Sequence, residues 1–163
     1  MMKEHTIQLI STLLLSVFFS SSVLAQDYSS GHAALEVWDA EAQENLPQWI
    51  KIWLFFMGTV YVSGLFFLKN HIEARWLVGG FILGLVFSKL AIPALGLVPL
   101  SGLVGLVHVV FWTPALVIML KNRPFTQGFS IYNCWSGLAT GCILFSFIFD
   151  IRDAYIYLAH TLS

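Results

Sequence analysis

WLVGGFILGLVFSKLAIPAL, Trp76 to Leu95, is a run of twenty residues with a single charged side chain, Lys89. A helix rises about 1.5 Å per residue, so this run reaches about 30 Å, the thickness of bilayer hydrocarbon. Its apolar residues follow one another without the inside–outside alternation that a membrane barrel strand requires, so a strand is excluded. Three further runs match it in length and character: Trp49 to Leu68, Ser101 to Leu120 and Ile131 to Phe149. The fold class that follows is an all-α integral membrane protein, a four-helix transmembrane bundle of two antiparallel hairpins over residues 49–149.

Composition agrees. Of 163 residues, 58% are hydrophobic and 10% charged, and the mean hydropathy is +0.79. So little polar surface cannot cover a water-soluble globule of this size. The eight lysines and arginines are scattered and the net charge is -1. A nucleic-acid partner needs a concentrated basic face, so no nucleic acid is expected.

Upstream of the spans, Lys3 precedes an apolar stretch from Ile7 to Phe19, and Val23-Leu24-Ala25 places small residues where signal peptidase needs them. Residues 1–25 read as a signal peptide cut after Ala25; the alternative is a retained fifth helix. Residues 26–48 form an acidic leader with Asp27, Glu36, Asp39, Glu41 and Glu44 and no basic residue. They are expected to be a solvated, partly ordered lead-in to the bilayer; the alternative is a helix over Ala33 to Asn45, with Leu35, Val37 and Trp38 against a membrane or partner surface. Lys69 and Arg75 lie between the first and second runs, Lys121 and Arg123 between the third and fourth, while Gly96 to Leu100 carries no charge. Basic loops stay in the cytoplasm. The expected location is therefore the bacterial inner membrane, with leader and C-terminal tail, residues 150–163, in the periplasm. Trp49, Trp76 and Trp135 fall near span ends, where an indole buries its ring and still hydrogen-bonds.

Gly80 with Gly84, and Gly137 with Gly141, make two Gly-x-x-x-Gly ridges, expected to be helix-packing faces within the bundle or between protomers. Lys89 and His108 lie symmetrically about the turn at Val98-Pro99, so a hairpin there brings both to one depth, about 10 Å from its closed end. Pro93 and Pro114 can free carbonyls near them. Asp150 ends the fourth run at the same side and supplies a carboxylate. Lys89, His108 and Asp150 are thus the candidate intramembrane polar cluster; the bland reading has Lys89 reaching the headgroups and His108 bonded to a backbone carbonyl.

No other chemistry has the right spacing. Cys134 and Cys142 are eight apart on one helix, about 12 Å, too far to bond. No metal-ligand pair, phosphate loop or nucleophile elbow is present, and His108 is the lone intramembrane histidine where a bis-histidine haem needs two. No catalytic residue, cofactor or metal is expected. The sequence favours a non-catalytic subunit, accessory or scaffold of a membrane complex, with a membrane-protein partner or a second copy. The alternative is a small transporter or ion-coupled unit built on Lys89, His108 and Asp150.

Overall fold

The computed structural model describes residues 33–163; the signal-peptide reading of residues 1–25 and the start of the leader lie outside the described residues. Four helical stretches are long and apolar enough to cross a membrane: Gln48–Phe67, Ile72–Ala94, Ser101–Thr126 and Ile131–Leu162. No strand forms among the described residues. The protein is an all-helical, multi-pass membrane protein. A short helix α1 (Ala40–Glu44) precedes α2 (Gln48–Ser63), α3 (Ile72–Val86), α4 (Ser101–Asn122) and α5 (Ile131–Leu162).

Two helices depart from regular α geometry, each with a physical cause. α2 tightens into a 3-10 turn over Gly64–Phe67. There the Gly64 N–H turns to the Tyr61 carbonyl, and the Val60 carbonyl accepts instead from Trp135 Nε1 at 2.9 Å and Ser63 Oγ at 2.8 Å. α3 widens into a π-turn over Phe87–Ala91 before ending in Ile92–Ala94. Pro93 has no N–H and its ring crowds the carbonyl four residues back, which belongs to Lys89; widening the turn relieves that conflict. Gly96, with φ +70, then reverses the chain in a conformation that glycine adopts without steric cost.

Close packing is set by glycines. A Cβ on Gly80 of α3 would strike the Phe111 carbonyl oxygen of α4, and one on Gly105 of α4 would come within 3.0 Å of the Asp150 carbonyl oxygen of α5. Gly102, one turn earlier, meets Asp153, Tyr157 and the Ala34 carbonyl oxygen in the same way. α4 is therefore pressed between α3 and α5. The main core forms where α2 joins them: Tyr61 stands edge-on to Trp112 and Phe81, with ring centroids at 5.2 and 5.4 Å.

The leader and tail differ from expectation. In place of a partly ordered lead-in, or of one helix over Ala33 to Asn45, there is a 3-10 turn, Ala33–Leu35, an extended stretch, then α1. Asp39 caps α1 by accepting from Ala42 N–H at 2.8 Å, and the extended stretch is held by main-chain bonds to the α3–α4 link. Trp38 N–H donates to the Pro99 carbonyl at 2.7 Å, and Ser101 N–H donates to the Glu36 carbonyl at 2.9 Å. Glu36 thereby satisfies a free N–H in the first turn of α4. Residues 150–163 are likewise no separate tail: α5 continues past Phe149 to Leu162. Its 32 residues span about 48 Å, more than a bilayer needs. Nothing in DIRDAYIYLAHTL breaks a helix, and helix propagation does not stop where hydropathy does.

Candidate functional site

His108 on α4 and Asp150 on α5 face each other across the tight crossing at Gly105. His108 Nδ1 lies 3.4 Å from Asp150 Oδ1, both side chains mostly out of solvent. The imidazole stacks on Trp112 one turn along α4, with ring centroids 4.2 Å apart and planes 11° from parallel. Positions i and i+4 of a helix share a face, so the stack follows from the sequence spacing. Trp112 in turn meets Tyr61, and the four side chains make a continuous polar–aromatic column through α5, α4 and α2.

Within this region four buried polar atoms have no hydrogen-bonding partner: Asp150 Oδ2, Trp112 Nε1, Tyr61 Oη and Ser88 Oγ. Trp112 is 2% exposed and Tyr61 0%. Unpaired buried groups are uncommon in folded proteins and cost about 1–3 kcal/mol each. Ser88 belongs to the π-turn, and its helix passes Trp112 one turn earlier at Gly84, where a Cβ would lie 3.8 Å from Nε1.

Of the three residues singled out from the sequence, two come together. Lys89 is exposed, with no hydrogen bond or ion pair among the described residues, although its neighbour Ser88 is buried. A helical turn carries adjacent side chains about 100° apart, so depth alone could not assign Lys89 to the interior. Asp153 pairs with Arg152, 2.9 Å away, rather than joining Asp150. The glycine ridges also separate. Gly80 is a close contact; Gly84 and Gly137 have ordinary contacts with Trp112 and Phe125; around Gly141 there is open space. Cys134 is exposed, Cys142 buried, and both are free thiols.

A second polar cluster went unread in the sequence. Glu73, 7% exposed, accepts from Asn122 Nδ2 and from Tyr132 Oη, both at 2.8 Å. His71 stacks on Tyr132 with centroids 3.3 Å apart. This ties the start of α3 to the end of α4 and the start of α5. Both carboxylate oxygens have partners, so the cluster fastens the helix ends; unlike the Asp150 site, it leaves no carboxylate oxygen unmatched. The signal was present: Glu73, Asn122 and Tyr132 sit at the limits of three apolar runs that meet at one end.

Among the described residues no group of three or more His, Cys, Asp or Glu side chains could hold a metal ion. No protein-family model, curated protein or solved structure matches the chain.

Proposed function

We propose that the protein is a small ion-coupled unit of the bacterial inner membrane, two antiparallel helical hairpins with leader and C-terminal end in the periplasm, whose working pair is His108 and Asp150. The observation that carries this reading is the half-satisfied carboxylate: Asp150 meets His108 through one oxygen while the other is buried without a partner. An ionisable pair inside a membrane bundle is expensive to maintain, and a titrating site is the usual reason for one. Lys89, exposed and apart from the pair, has no part in it.

The experiment is an acid pulse across proteoliposomes holding the full chain, with a pH dye inside. Wild type and Lys89→Met are expected to admit protons faster than protein-free vesicles, and Asp150→Asn and His108→Phe to fall to the vesicle baseline. Wild-type flux at that baseline, or flux that survives Asp150→Asn, overturns the reading.

A second reading, that the chain is an accessory subunit, draws on the leader. Glu36, Asp39, Glu41 and Glu44 are all exposed on a segment fixed to the bundle, an acidic platform suited to a basic partner surface. The two readings are compatible if the ion-coupled unit works inside a larger assembly.

A further inference from the structure

We infer that the outward face of α5 is the seam of a parallel homodimer, and that what sits on it is a second copy of this chain. From Leu144 the face runs through Ile148, Ile151, Tyr155 and Leu158 to Leu162, at spacings of four, three, four, three and four residues. Apolar side chains at that alternation of threes and fours are what one helix presents to another wound beside it; a face that meets only lipid has no need of the period. No charged residue falls on the seam, although Asp150, Arg152, Asp153 and His160 lie between its members. It is also unoccupied by the rest of the bundle. Ile151 is half-buried and the other five are exposed, Tyr155 to 69% and Leu162 to 82%. Asp150 turns the other way, toward His108 of α4, so the seam is separate from that pair and does not rest on the ion-coupled reading.

Height decides between lipid and protein as the cover. Asp153 is level with Gly102 in the first turn of α4, where a Cβ on the glycine would strike the Asp153 carbonyl oxygen. Leu162 comes nine residues later in the same helix, about 13 Å further along its axis. Lipid tails can cover Leu144 and Ile148. Leu158 and Leu162 stand beyond the α3–α4 link, after three charged side chains, where water would be the alternative. The inner side of this overhang is fastened, with Ala154 and Ile156 buried and Tyr157 against Gly102, so its outer side is held out as a fixed apolar strip, the mark of an interaction surface. Whatever covers the seam must offer apolar residues both inside the bilayer and above it, in line. A second copy inserted in the same orientation does so by construction: a two-fold axis along the membrane normal sets each residue of the seam opposite its own counterpart at its own height. Gly141, the next step of the pattern below Leu144, has open space around it and lets the two backbones draw together within the bilayer.

The test is disulfide trapping in native membranes, on the full chain with Cys134→Ser so that the buried Cys142 is the one native thiol left. Tyr155→Cys and Leu158→Cys should each give, on mild oxidation, a product of twice the chain mass, and two differently tagged copies expressed together should both be found in it. His160→Cys, two positions off the seam, should give several-fold less. Subunit counting by single-molecule photobleaching in proteoliposomes should find dimers of the wild type, a measurement that needs no variant to fold. Tyr155→Glu combined with Leu162→Glu should raise the protein-to-lipid ratio at which half the chains are dimeric by about ten-fold or more, with helix content unchanged because both side chains are exposed in the single chain. Wild-type monomers at every protein-to-lipid ratio, equal trapping at His160→Cys, trapped products that hold a different protein, or dimers indifferent to the two glutamates in a folded variant would overturn the inference.

Discussion

Asp150 has two candidate cationic partners in the sequence and one in space. By their symmetry about the turn Lys89 and His108 are expected at one depth, and Asp150 ends the fourth apolar run on the same side. Which of them meet depends on azimuth around each helix axis. The π-turn shifts that azimuth for Lys89, and Pro93 signalled a disturbance without saying which way it would rotate the side chains. A double-mutant cycle on detergent melting should therefore find coupling of about 0.5–3 kcal/mol between His108→Phe and Asp150→Leu. The cycle between Lys89→Met and Asp150→Leu should be additive within about 0.5 kcal/mol. The opposite pattern would return Lys89 to the pair. Tyr61 was not legible as part of the site, because an aromatic inside an apolar run is ordinarily core, and here it is both core and one of the unpaired groups.

At the scale of elements, the leader shows how much a backbone contact can change a reading made from composition. Acidic and polar, the leader read as a solvated lead-in or, over residues 33–45, as a helix lying on a surface; two main-chain bonds to Pro99 and Ser101 make it a strap across the α3–α4 link. Hydrogen bonds between backbone groups distant in sequence leave no pattern in side-chain identity, so this contact was not available from the chain alone. Trp38→Pro deletes the donating N–H and should loosen the strap without touching a transmembrane residue. Limited proteolysis from the leader's side should then cut within residues 33–47 at least several-fold faster than in wild type; unchanged cleavage would mean that the strap is held by side chains instead. Lys51, whose Nζ donates to the Glu44 carbonyl at 2.6 Å, is the anchor at the strap's other end.

The whole molecule was the most legible level. Span number and approximate limits follow from twenty-residue apolar runs, because a bilayer imposes one length on every crossing element. The helix ends were less so, since α3 begins at Ile72 rather than Trp76 and α5 runs to Leu162; hydropathy marks the bilayer and not the helix. Reporter fusions at Asn70 and Arg123 should give cytoplasmic signals, and those at Pro99 and His160 periplasmic ones, if Lys69, Arg75, Lys121 and Arg123 follow the rule that basic loops are retained inside. A cytoplasmic signal at His160 would invert the membrane placement of the His108–Asp150 site.

Gly102 is surrounded by pieces of the chain that are made far apart in time. Ala34 leaves the ribosome before any of the four spans, whereas Asp153 and Tyr157 follow after all three loops, and all of them converge on this one position of α4. Contacts between such distant segments form late, once the intervening chain has been placed. Until α5 has been inserted, the strap has only part of its seat and Asp150 has not yet reached His108. The order of synthesis therefore keeps a half-made bundle from carrying a finished pair, and a chain stalled before its last helix would display an unlatched leader.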